Sequence, residues 1–181
     1  MKNIELNRFK KALRLKRHVI GVRFVYFPSD FEKNPAPKSK YKVSYCKMTR
    51  LAMDGNHFKA DHTNIACRCA AEAIGLARKM EGVNSGQRYF SLNLYESRSV
   101  AKAVTDTIEN IDQSIVGIEM GPLEEMDEAD LVLFMCTPYQ LMRVVQGYSY
   151  KWGIPKNISM AGNQGMCADL TAAPFVHNDM N

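Results

Sequence analysis

Along this chain, short runs of β-branched and aromatic residues alternate with amphipathic stretches of helical period, and the same order occurs twice. Such alternation builds an α/β fold in which sheet strands are joined through helices. In the first half (19–112), residues 19–27 (VIGVRFVYF) read as a mostly buried strand. SDFEKNPAPKSK then reads as an exposed loop. SYCKMTRLAMD (44–54) forms a helix that stops at Gly55. A short strand follows near His57–Asp61, and a helix begins around Cys67 to Ala70 in IACRCAAEAIGLARKM. GVNSGQ is a loop, and SRSVAKAVTDTIENI a further amphipathic helix.

The second half (113–181) opens with the strand SIVGIEMG, Pro122 and the acidic turn LEEMDEAD. LVLFM (131–135) reads as a buried strand. Thr137 and Pro138 start a helix that runs to Gly153, with proline suited to its first turn. NISMA reads as a strand, GNQG as a turn, and MCADLTAA as a short helix ending before Pro174. Each half thus runs strand–helix–strand–helix and places a cysteine before its last helix. Arg50 and Arg143 fall at matching places. This order predicts an internal duplication with a pseudo-two-fold axis.

The chain has 181 residues, enough for one domain with its own core. Its net charge of +5 is uneven: residues 1–18 hold seven basic side chains and one acid, Glu5, so this segment carries +6 and the remainder −1. We read residues 1–18 as a basic amphipathic helix with a solvated face, and residues 19–181 as one α/β domain of two halves. Ile4, Phe9 and Leu13 form the helix's apolar stripe, with Leu6 and Leu15 off it. A basic patch confined to one end argues against nucleic acid as the partner. No segment reaches the ~18 continuous apolar residues of a membrane span. Arg23 breaks the one run that resembles a secretion signal. The expectation is a cytoplasmic protein whose partner is a small molecule; a homo-oligomer is compatible with the sequence.

The cysteines are Cys46, Cys67, Cys69, Cys136 and Cys167. An odd number in a chain of this size fits reduced thiols better than a disulfide framework. Cys67 or Cys69, and Cys167, sit at predicted helix starts, with Cys46 at the start of its own helix. Unpaired amides there favour a thiolate, which is both nucleophile and metal ligand. Converging thiolates of Cys46, Cys67, Cys69 and Cys167 suit an iron–sulfur cluster or a zinc ion. The C-x-C spacing differs from the C-x-x-C of ferredoxins and zinc ribbons. Free cysteine is also a common core residue, the reading that best fits Cys136. Gly162 and Gly165 frame a turn that could cradle a phosphate or carboxylate, although it lacks the Lys-Ser/Thr of a P-loop. His62 precedes Cys67 closely enough to orient a thiol. The methionines, and Tyr139, Tyr148, Tyr150 and Trp152, read as core packing.

The segments YKVSYCKMTRLAMDG, CRCAAEAIGL, DLVLFMCTPYQLMRVVQGY and GMCADLTAAP resemble the family called domain of unknown function 169, or ArCR. The resemblance covers roughly residues 15–175. Carried over, it marks Cys46, Cys67 and Cys167, and the Pro138-Tyr139-Gln140 helix start. Glycines usual after the second cysteine are replaced here by Cys69 and Ala70. Family members normally continue past this point with a strand-rich segment, which leaves this chain either truncated or a short member lacking one side of the site. The family brings no established reaction. Three readings therefore stand: a cysteine-ligated iron–sulfur or metal redox protein, a metal-free small-anion-binding module with structural cysteines, and an interaction subunit that docks through its basic N-terminal helix.

Overall fold

A computed structural model describes residues 3–78, 85–112, 114–156, 158 and 160–177. Four strands form one antiparallel sheet: β1 (Ile20–Val25), β2 (Phe58–Ala60), β3 (Gly117–Pro122) and β4 (Leu131–Leu133), in the order β2-β3-β1-β4. The fold is α/β. β1 and β3 share the longest register, from Ile20 opposite Pro122 to Val25 opposite Gly117. The period of two puts Ile20, Val22, Phe24, Ile118, Met120, Phe58 and Ala60 on one buried face. Helix α3 (Tyr45–Met53) packs on that face, with Met48 and Ala52 fully buried.

The opposite face carries Arg23, Lys59 and Glu119. Glu119 is buried and is held by hydrogen bonds from Asn34 and from His57 (2.8 Å), with Arg23 3.7 Å away. Charged groups persist inside a fold only with such partners. Gly117 and Gly121 let the rings of Phe31 and His57 lie directly on β3, where any Cβ would collide with them. Phe31 belongs to α2 (Pro28–Lys33), a helix in the stretch expected to be loop; Pro28 occupies its first turn instead of ending an element. The Lys59 ammonium donates to carbonyls at the C-terminal end of α2, those of Phe31 (2.6 Å) and Asn34 (2.8 Å).

The N-terminal helix α1 (Asn3–Leu13) ends at Arg14, which takes a left-handed conformation. Its anchor is Leu6, buried with Val19 and Leu123, and Phe9 and Leu15 pack against them. Phe9 meets Phe134 edge-on at 5.2 Å. Lys10 pairs with Glu124 at 3.0 Å, while Arg8, Lys11 and Arg14 are exposed.

Further helices are α4 (Arg68–Ala73), α5 (Gln87–Ser91), α6 (Arg98–Asp106), α7 (Pro138–Trp152) and α8 (Ala173–His177); a π-helix spans Gly165–Ala172. Helix α4 is shorter than its composition predicts, because Gly75 turns left-handed just beyond it. Its expected continuation at 79–80, and 82–84 of the expected loop, lie outside the described residues.

The internal duplication is not confirmed among the described residues of the second half. Ile158, Met160 and Ala161 of the expected NISMA strand are not in a strand; residues 157 and 159 lie outside the described residues. β4 is three residues long and half-exposed at the sheet edge, not the buried five-residue strand expected. α7 follows its predicted course, with a complete capping box between Thr137 and Gln140, yet none of its residues is buried. The expected core roles of Tyr139, Tyr150 and Trp152 therefore fail. The last helix also continues through Pro174, which is tolerated because it falls in the first turn of α8.

Candidate functional site

An isolated bridge organises the site before any helix does. Val43 pairs in parallel with Ile65, its amide donating to the Asn64 carbonyl and its carbonyl accepting from Ala66, both at 2.9 Å. This sets the starts of α3 and α4 side by side. Ser44 caps α3, its hydroxyl accepting from the Lys47 amide, and Cys46 follows on the first turn. Cys67 is itself the N-cap residue of α4. Both thiols are exposed. The π-helix packs against α3 and α4 and brings in Cys167, which is 5% exposed. π-Helical turns are rare and concentrate at functional sites.

Cys167 feels both neighbours. Burial pushes its thiol up to about 12, and the charges of Cys46 and Cys67 push in the same direction. Its Sγ donates to the Gln164 carbonyl at 3.6 Å. Cys69 lies one step further along α4, half-buried, and its charge acts on the Tyr89 hydroxyl. Cys136 is half-buried, with burial raising its thiol. His62 is exposed on the turn before Ile65. Cys46, Cys67 and Cys167 thus share one locus, from segments distant in sequence. Among the described residues, no three His, Cys, Asp or Glu side chains are grouped to hold a metal ion in this geometry.

The site's supports were not visible in the sequence. Tyr45, fully buried beside Cys46, reaches the Thr171 hydroxyl at 3.1 Å. Thr171 donates to the Met166 carbonyl at 2.7 Å, so Tyr45 is the donor of the pair. This ties α3 to the π-helix one turn beyond Cys167. Gln164 enters the π-helix in a left-handed conformation unusual for a residue with a side chain. Its amide donates to Tyr89 at 2.9 Å, and Asn163 donates to Tyr95 at 2.7 Å. The only sequence signals are adjacency, Tyr45 before Cys46 and Thr171 four residues after Cys167.

The turn bounded by Gly162 and Gly165 uses its polarity internally. The amides of Ala161 and Gly162 donate to the two carboxylate oxygens of Asp169, at 3.2 and 3.0 Å. A protein carboxylate thus sits where a bound anion was expected. A cavity of about 490 Å³, lined by Glu72, Gly75, Arg78 and Glu109 among others, opens beyond the C-terminal end of α4.

The burial of Cys167 and Tyr45 has a consequence for stability. Both groups hold their protons above their ordinary ranges, in each case mainly through burial. The folded state therefore binds more protons than the unfolded state once the pH passes the unfolded thiol's value of 9.0. Stability present below that pH is lost as it rises towards 12, by at most about 1.4 kcal/mol per pH unit for each group. Denaturant midpoints at pH 8 and pH 10.5 are expected to fall with pH, less steeply in Cys167→Ala; a flat profile would contradict the burial described.

No helix among the described residues is long and apolar enough to cross a membrane. No solved structure matches the chain. It is 27% identical over 140 residues to the uncharacterized protein MJ0308 of Methanocaldococcus jannaschii, a match covering 76% of this chain and 60% of the relative. The chain thus spans under two thirds of that relative's length. Residues 8–181 match the model of the family that the cysteine-bearing segments had suggested. The chain belongs to the family of domain of unknown function 169, uncharacterised ArCR.

Proposed function

We propose that this chain is a thiol-centred module in which Cys46, Cys67 and Cys167 take up a soft metal ion or an iron–sulfur cluster. The supporting observation is the packing of the π-helix, which carries Cys167, against α3 and α4, at whose starts lie Cys46 and Cys67. Packing alone gives no reason for three cysteines from separate segments to lie at the starts of neighbouring helices. Cys167 keeps its proton until a metal displaces it, so uptake releases protons and is favoured by rising pH. A cluster there would supply electron transfer; zinc with three protein ligands would supply a Lewis acid with an open position. A reducing compartment fits the free thiols.

The reading as a metal-free anion-binding module loses support at its best seat, because Asp169 already takes the amide of Gly162. The test is the metal and acid-labile sulfide content of protein purified without oxygen, compared with Cys67→Ala. Iron with sulfide, or zinc without it, near one site per chain and lost in the variant, is the expected result. No metal in either protein would sink the proposal.

A further inference from the structure

We infer that Gln164 is a positioning residue of the thiol site: its tie to Tyr89 is a latch that holds the π-helix closed over Cys167. The inference rests on the thiol-centred reading for the use made of Cys167, while its test needs no metal.

Among the described residues, Arg14, Asn93 and Gln164 take a left-handed backbone conformation without being glycine. The first two have local reasons. Arg14 closes α1, where the amides of Arg14 and Leu15 turn back to the carbonyls of Lys11 and Lys10. Asn93 closes α5 in the same way, and asparagine tolerates this region. Gln164 stands at the start of a helix and not at an end, with φ 53°. Glycine would fill this position at least cost, and the chain has glycine at 162 and 165 but not here. Such strain persists only where the surroundings impose it, and it collects at working sites.

Side-chain ties impose it here. The consecutive carboxamides of Asn163 and Gln164 donate to the hydroxyls of Tyr95 (2.7 Å) and Tyr89 (2.9 Å). Tyr89 is a firm post. It is buried on α5, whose N-cap Gly86 lies so close to α6 that a Cβ there would collide with the Lys102 amide. With the turn so held, the Gln164 carbonyl accepts from the Cys167 thiol at 3.6 Å and from the Ala168 amide at 2.8 Å. One residue thus carries the strain, the tie to α5 and the acceptor for the buried thiol. Its Oε1 is also buried, with no hydrogen-bond partner among the described residues. An unmatched buried acceptor adds to the cost of the closed form. Release of the latch relieves both costs and uncovers Cys167, the one cysteine of the trio that is buried.

The test is the rate at which iodoacetamide alkylates each cysteine of the full chain, freed of metal by a chelator and read by peptide mass spectrometry. Tyr89→Phe removes the hydroxyl that receives the Gln164 amide and keeps the ring. Gln164→Ala removes the carboxamide and leaves a residue that is still disfavoured in the left-handed region. Each is expected to raise the Cys167 rate roughly two- to tenfold, the factor that the net contribution of one hydrogen bond corresponds to. The double variant is expected to go no further than the larger single effect, as a shared tie requires. Cys136, half-buried between β4 and α7, is the control and is expected to keep its rate. A Cys167 rate unchanged in both variants, equal rises at Cys136 and Cys167, or effects that multiply in the double variant would each overturn the inference. Absence of metal from the wild type counts against the thiol-centred reading alone, and these rates still decide the latch.

Discussion

Replacing Tyr45 with alanine is expected to lower the unfolding free energy by about 3–5 kcal/mol, the cost of emptying a large aromatic site in a packed core. For a chain of this size that is roughly 10 °C in Tm. Tyr45 is fully buried in the main core cluster, alongside Met48 and Cys167. Two effects combine in it. The ring fills space between α3 and the π-helix, and its hydroxyl donates to Thr171. Phenylalanine separates them, since it keeps the ring and removes only the hydroxyl. Thr171 then retains its own bond to the Met166 carbonyl, so Tyr45→Phe is expected to cost about 1 kcal/mol or less. Equal losses in the two variants, measured by urea titration, would show that the hydrogen bond and not the packing anchors the π-helix.

The same residue shows what the sequence could and could not reveal. Elements whose period matches their burial were legible: β1 and β3, with alternating apolar side chains in the sheet core, and α3, with a serine cap and a glycine stop. The cysteines were legible as well, since helix starts can be read from local signals. Tertiary partners were not. Tyr45 and Thr171 are 126 residues apart, and nothing local announces that they meet. α2 escaped notice because proline in a first turn looks like proline in a loop. α7 misled in the other direction: its apolar side chains were read as core, whereas the single chain leaves them bare. Hydrophobic pattern records that a face must be covered, without saying whether the cover comes from the same chain. The internal duplication is not confirmed: Ile158, Met160 and Ala161, read as strand, lie in none.

Cys167→Ala is expected to reduce metal or cluster content at least tenfold, and Cys69→Ala to leave it nearly unchanged. The tenfold figure is a floor, since loss even of groups that only orient metal ligands costs about 10–100-fold in affinity. The contrast follows from placement. Cys167 is the buried member of the trio, and the charges of Cys46 and Cys67 both act on it. Cys69, although nearer to Cys67 in sequence, is only half-buried and acts, as Cys167 also does, on Tyr89 at the side of the site where Gln164 is held. Alanine at 167 removes a small buried side chain and leaves the Tyr45–Thr171 tie in place, so the variant should fold, as a thermal melt can show. Metal content and proton release on metal addition are then measured for both variants. Loss in Cys167→Ala with retention in Cys69→Ala supports a trio drawn from three segments. The reverse outcome would make Cys67 and Cys69 the ligand pair and reduce Cys167 to packing. The π-helix would then owe its presence to Tyr45 and Thr171 alone.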